Sequence, residues 1–198
     1  MTKIKICGLT RPQDIEAVNA ARPDFAGFVF AEKSRRRVTP AQAAALRRAL
    51  RFGIVPVGVF ANQPVREILR LLSAGTIAVA QLHGQEPEET VRQIQQAGFP
   101  VIRAFHVQSA ADAAQALEST ADVLLLDSGS GSGRTFDWNL IPDIRRPWFL
   151  AGGLCAENAA EAVRQVRPWG ADVSSGVETD GVKDAAKIAE LIRRIRNV

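Results

Sequence analysis

A thiol and a carboxyl occupy matching places in this chain. Cys7 ends the alternating run Lys3–Cys7 (KIKIC), and Asp127 ends the apolar run Asp122–Asp127 (DVLLLD). A cysteine so placed is either an inert small core residue or a reactive group carried to the rim of a pocket. A carboxyl emerging from apolar surroundings favours its protonated form, which suits a general acid. It serves equally well as a cap or loop acceptor, a use the following Ser128-Gly129 would fit.

Other reactive or ligand-binding types fall at similar edges. Arg36 lies in SRRRV (Ser34–Val38) and can pair a carboxylate in bidentate fashion, although spacing does not choose among Arg35, Arg36 and Arg37. His83 closes the run Ile77–His83 and reads as an acid–base or hydrogen-bonding group or as a structural one. His106 has no distinguishing partner. Gly152-Gly153 and Ser174-Ser175-Gly176 follow two late runs and could present backbone N–H groups and hydroxyls to a phosphate, or simply make tight turns. The glycine-rich stretch Gly129–Thr135 reads as a lid over a ligand or as a connector, and Asp137 reads as a helix cap. Cys155 reads as packing. No group of His, Cys, Asp and Glu has metal-ligand spacing, so no metal is expected.

Something must bring these scattered residues together. Eight short apolar runs recur at Lys3–Cys7, Phe25–Phe30, Ile54–Phe60, Ile77–His83, Pro100–Phe105, Asp122–Asp127, Pro147–Gly153 and Ala171–Gly176. Several are apolar nearly throughout, as parallel strands covered on both faces should be. The segments between them carry helix signals. Thr39-Pro40 opens an alanine- and leucine-rich stretch; Val65, Ile68, Leu69 and Leu72 share one helical face; acidic residues from Glu86 open another helix that closes at Gly98. The last helix spans about 184–197. Eight strand–helix repeats without a linker predict a single (β/α)8 barrel over residues 1–198, an α/β fold with a closed eight-stranded parallel sheet. A dinucleotide-binding sheet is disfavoured because no Gly-x-Gly-x-x-Gly follows the first run. In a barrel the C-terminal strand ends converge on one mouth, which is where the residues above fall.

Composition narrows the function classes. At 46% hydrophobic and 23% charged, the 198 residues read as an ordinary soluble domain. No apolar run approaches a membrane span, no secretory signal is apparent, and two cysteines offer no disulfide framework, so a reducing cytoplasm is expected. The net charge of +4 comes largely from arginines that lack interleaved aromatic residues, which disfavours nucleic acid as a partner. Lys3 and Lys5 alternate with Ile4 and Ile6 and could point into a barrel or toward its bottom.

Taken together, KICGLT with Asp14, GFVF…KSRRRV, VGVF, QLHG, LLLDS…GSGRTFDW, LAGGL and DVSSGV…GVKD resemble the phosphoribosylanthranilate isomerase family along essentially the whole chain. The resemblance implies a cofactor-independent (β/α)8 barrel that performs an Amadori rearrangement of a phosphosugar in tryptophan biosynthesis. It implies Cys7 as general base, Asp127 as general acid, and Arg36 as the group binding the anthranilate carboxylate. Asp172 falls in the matching DVSSG segment as a ligand-orienting residue; from their own placement at strand ends, His83 is expected to bind substrate and Gly152, Gly153, Ser174, Ser175 and Gly176 to bind phosphate. Two departures stand out: Arg35 and Arg37 replace the family's usual proline and tyrosine, and GSGSGRTFDW stands where GGTGKTFDW is typical. A related phosphosugar barrel, such as an indole-glycerol-phosphate synthase or a ProFAR-type isomerase, is a second reading. The latter class uses two aspartates where this chain has Cys7 and Asp127. An anion- or nucleic-acid-binding module is a third. Oligomeric state is left open between monomer and homodimer.

Overall fold

A computed structural model describes residues 1–128 and 137–198. Eight parallel strands close into a barrel in chain order: β1 Lys3–Cys7, β2 Phe25–Val29, β3 Val55–Phe60, β4 Val79–Leu82, β5 Val101–His106, β6 Val123–Asp127, β7 Trp148–Leu150 and β8 Gly170–Val173. Closure is made by β1 against β8, with Lys5 opposite Asp172 and Ile6 opposite Val173. The outer layer is α1 Pro12–Ala21, α2 Pro40–Ala49, α3 Val65–Ser73, α4 Glu88–Gln96, α5 Ala110–Ala116, α6 Ala159–Val166 and α7 Ala185–Arg196.

Strand alternation sorts side chains into two cores. Ile4 and Ile6 point outward and are fully buried between sheet and helices. Burial of this kind is worth roughly 1.5–3 kcal/mol for each such side chain. Val57, Val79, Ile102, Leu125 and Phe149 fill the barrel interior. Its floor is closed by Phe25, Phe149 and Trp169, whose ring centroids lie 5.2–5.8 Å apart. Lys5 and Cys7 share this inward face with Lys3. The two lysines take the two directions that alternation left open: Lys5 is wholly buried inside, whereas Lys3 reaches Asp24 at the bottom, 2.8 Å away.

Local signals account for the helix ends. Thr39 accepts from Gln42 N–H while Gln42 Oε1 accepts from Thr39 N–H, and Pro40 follows in the first turn. Asp184 accepts from the N–H groups of Ala186 and Lys187 at the start of α7. One expected helix differs. After β6 the described residues contain only a 3-10 turn, Trp138–Leu140, capped by Asp137 as anticipated. Pro142 lies two residues past it and disfavours helical backbone at Ile141, so the turn does not propagate. No described helix is long and apolar enough to cross a membrane.

Between β8 and α7 the chain inserts a small hairpin, β9 Glu178–Thr179 against β10 Val182–Lys183. Its turn is Asp180-Gly181, with φ of 52° and 78°; two positive φ values are what a tight hairpin of this hand requires, and Asp-Gly supplies them. The hairpin matters because it carries two charged residues back to the mouth.

Candidate active site

A cavity of about 310 Å³ opens at the C-terminal ends of the strands. Cys7 from β1, Arg36 from the β2–α2 loop, His83 after β4, Asp127 from β6, Gly152 and Gly153 after β7, and Asp172, Ser174 and Ser175 from β8 and its loop all line it. Of the glycines and serines expected to hold a phosphate, Gly176 alone stands behind this wall. A Cβ there would lie 1.9 Å from the Leu154 carbonyl oxygen, so its bare backbone lets the last two βα loops touch. The Gly129–Thr135 segment lies outside the described residues. Cys155 sits beside Leu154 in the loop before α6, where its N–H donates to Asn158, and it does not line the cavity.

Cys7 is 7% exposed and lies opposite Gly27 in the sheet register. A Cβ on Gly27 would come within 2.7 Å of the thiol sulfur, so glycine there makes the room that Cys7 occupies. Burial pushes the Cys7 thiol above its ordinary 9.0, and Asp172 adds to this, while the Lys5 and Lys183 ammonium groups pull it back. Cys7 therefore rests as a thiol, ringed by cations that favour its ionised form.

Those cations were not among the residues expected at the site. Lys5 Nζ donates to both oxygens of Asp172, at 2.9 Å each, across the β1–β8 seam. Burial alone would lower the Lys5 pKa, but Asp172 and Cys7 reverse that and hold it raised, so the ammonium stays charged. Lys183 Nζ donates to Glu178 Oε1 (2.6 Å), the Ser174 carbonyl (2.9 Å) and Ser174 Oγ (3.3 Å). Ser174 Oγ in turn donates to the Cys7 carbonyl at 3.0 Å. The hairpin is thus tied directly to the strand end that carries the thiol.

Arg36 is held by the same hairpin. Its Nε and Nη2 donate to the two oxygens of Glu178 at 2.6 and 2.8 Å, and Arg35 donates to Glu178 at 2.9 Å. Burial alone would raise the Glu178 pKa; the hydrogen bonds from Arg36 and Lys183 overcome this and hold the carboxyl down to about 2. Among the three consecutive arginines, Arg36 is the one lining the cavity. The signal for Glu178 and Lys183 was present as the Asp-Gly turn between them; the signal for Lys5 was its alternation with isoleucines.

On the other side of the mouth, His83 Nε2 lies 3.3 Å from Asp127 Oδ2. His83 Nδ1 lies 2.9 Å from Nε2 of Gln81, a residue of β4 that also lines the cavity. A second recess of about 390 Å³ lies beyond this pair, lined by Arg103, Phe105 and His106 among others. Gly152, at φ 88°, crosses so close to β6 that a Cβ would lie 2.8 Å from Asp127 Oδ1 and closer still to Ser128. Only glycine permits both that backbone conformation and that approach. Among the described residues, no group of three or more His, Cys, Asp and Glu could hold a metal ion.

The arrangement offers a buried thiol amid cations, a carboxyl paired with an imidazole, an arginine, and a glycine- and serine-lined wall. Comparison with known proteins agrees with it. Residues 4–194 match the family model described as N-(5'phosphoribosyl)anthranilate (PRA) isomerase. The chain is 50% identical over 196 residues to an N-(5'-phosphoribosyl)anthranilate isomerase of Lacticaseibacillus casei, covering 99% of this chain and 96% of that protein. A crystal structure of a phosphoribosyl anthranilate isomerase in complex with reduced 1-(o-carboxyphenylamino)-1-deoxyribulose 5-phosphate superposes with a TM-score of 0.86 at 35% identity over the whole of both chains. A structure of monomers generated from the dimeric enzyme of Thermotoga maritima superposes with a TM-score of 0.87 at 34% identity, again over the whole of both chains. The chain belongs to the N-(5'-phosphoribosyl)anthranilate isomerase family.

Proposed function

We propose that Cys7 is the general base and Asp127 the general acid of this family's reaction, the Amadori rearrangement of N-(5'-phosphoribosyl)anthranilate to 1-(2-carboxyphenylamino)-1-deoxyribulose 5-phosphate. The observation that carries this reading is the shared cavity: the thiol and the carboxyl enter it from β1 and β6, with β7 and β8 between them. Asp127 donates its proton to the furanose ring oxygen, which opens the aminal to a Schiff base. Cys7 as thiolate removes the C2' proton to give the enolamine. Return of a proton to C1' and loss of the C2' hydroxyl proton to the Asp127 carboxylate give the ketone and restore both groups, so the cycle needs no cofactor or redox partner.

Substrate orientation follows from the chemistry of the walls. Gly152, Gly153, Ser174 and Ser175 present N–H and hydroxyl donors suited to a phosphate, as the last two loops of such barrels commonly do. On the β1–β2 side of the mouth the guanidinium of Arg36, steadied by Glu178, has donors beyond the two that Glu178 uses and can meet the anthranilate carboxylate. Asp172, fixed by Lys5, faces the sugar between them, with His83 beside Asp127. The protein then acts as an aldose–ketose isomerase in tryptophan biosynthesis in the cytoplasm, on a small phosphosugar, without metal or nucleic acid. Monomer and homodimer both fit, and sedimentation of the purified chain separates them.

The experiment is complementation of a tryptophan auxotroph lacking this isomerase. Wild type should restore growth and Cys7→Ser should not. Equal rescue by the Cys7→Ser variant, or failure of a folded wild type, would refute the assignment. Retention of turnover after chelator treatment tests the absence of a metal requirement; a loss restored by one divalent ion counts against it.

A further inference from the structure

Gln81 has no role in the reaction as described, yet its surroundings are unusual for a polar residue. It is 1% exposed and sits in the middle of the mouth wall. Its register neighbours on either side are apolar, Val59 of β3 and Ile102 of β5. Its amide nitrogen meets His83 Nδ1 at 2.9 Å, and no donor among the described residues bonds its Oε1. A buried amide with one unsatisfied end is unfavourable for folding. A residue kept for stability alone would be better replaced there by an apolar one.

The single bond Gln81 makes has a chemical consequence. An amide N–H2 can only donate, so Nδ1 of a neutral His83 must be the acceptor, and its proton must be on Nε2. That proton then points at Asp127 Oδ2, 3.3 Å away. The opposite amide orientation would put Oε1 against Nδ1–H and leave a bare Nε2 to accept the Asp127 proton that ring opening requires.

We propose that Gln81 is a positioning residue that fixes the Nε2–H tautomer of His83 and through it holds the Asp127 carboxylate in place for proton exchange with the substrate. Gln81 touches no reacting atom. Its contribution runs through two hydrogen bonds in series, and the unsatisfied Oε1 is the cost of keeping the amide in the orientation that the imidazole needs. The inference rests on the reading of Asp127 as acid, but its first test does not.

That first test uses the wild-type protein with 15N-labelled histidine at pH 9, where imidazoles are ordinarily neutral. The chain has two histidines, so a His106→Asn variant assigns the resonances. His83 should show a protonated Nε2 and an unprotonated Nδ1. A protonated Nδ1 would overturn the proposal without touching the function reading. The second test is Gln81→Met, similar in volume and without donor or acceptor. It should lose the tautomer preference, lower kcat by roughly fivefold to tenfold, leave KM within about twofold, and melt no lower than wild type. Unchanged kcat, or activity lost in step with stability, would overturn the proposal. Should Gln81→Met fail to fold, the wild-type spectrum decides alone. An Asp127→Asn enzyme with normal turnover would instead sink the assignment on which the inference rests.

Discussion

Cys7 sits where β1, β8 and the β9–β10 hairpin converge, with the Lys5–Asp172 and Lys183–Glu178–Arg36 pairs packed around it. Asp127 stands across the mouth between two recesses, its side chain 20% exposed, facing a His83 that is 36% exposed. The thiol proposed as base is thus embedded in fixed charge, and the carboxyl proposed as acid is placed at an opening. The difference suits their tasks. A thiol that burial holds above 9.0 can serve as the proposed base only with help from fixed cations, which must be rigid to act without reorganising. An acid that opens the sugar ring must reach the substrate and be restored each cycle, which favours access over enclosure.

Removing either group is the strongest way to break this comparison. Cys7→Ser and Asp127→Asn should each lower kcat by about 10²–10⁴-fold while the reduced product analogue still binds; near-normal turnover in steady-state assays of either variant contradicts its role. The pH profile sharpens the contrast. Because the proposed base works only when deprotonated and burial raises its pKa, formation of the Cys7 thiolate, followed by its ultraviolet absorbance, should still be climbing as pH passes 9. A plateau reached by pH 7 would show a thiol far more acidic than its surroundings allow.

Lys5 tests whether the charged scaffold serves the base. Lys5→Met leaves Asp172 buried without its cation and should cost about 3 kcal/mol of stability, read from urea unfolding. Lys5→Met/Asp172→Asn should recover most of that loss. Both variants should shift the thiolate titration upward, and an unmoved titration would mean that Lys5 is purely structural. Smaller again is the effect at Glu178. Held at about 2 against an ordinary 4.5, this carboxylate adds stability that is present above pH 4.5 and lost as pH falls toward 2. Glu178→Gln should therefore flatten the acid-unfolding curve across that window and cost about 2 kcal/mol at neutral pH. An unchanged acid midpoint argues that the hairpin is held by other contacts. The least effect is expected at Cys155. Cys155→Ala should keep kcat within about twofold, and a collapse of turnover would move the thiol chemistry to the wrong side of the comparison.

The strands were legible because parallel strands buried on both faces leave unbroken apolar runs, and their ends marked the mouth without any knowledge of the interior. Cys7, Asp127, Arg36, His83 and Asp172 all reach the cavity those ends predict. The charged scaffold was not legible in the same way. Alternation in KIKIC places Lys3 and Lys5 on one face but does not say where each ammonium finds its partner. Asp172 becomes the neighbour of Lys5 only when the sheet closes. That the described residues after β6 hold only a 3-10 turn owes to Pro142, a local signal outweighed by the regularity of the repeats. Gln81 interrupts an otherwise apolar run, but one polar residue in a strand did not single it out before the cavity was seen.

The seam between β1 and β8 has a bearing on how the molecule comes into being during synthesis. Cys7 leaves the ribosome with the first barrel strand, but the counter-charge for its neighbouring lysine arrives only with the eighth, and the hairpin lysine later still. Until then the first strand carries an ammonium that has no favourable place in an apolar barrel. A partly made chain is therefore discouraged from closing prematurely around seven strands, and the thiol acquires its working environment in the same event that completes the fold.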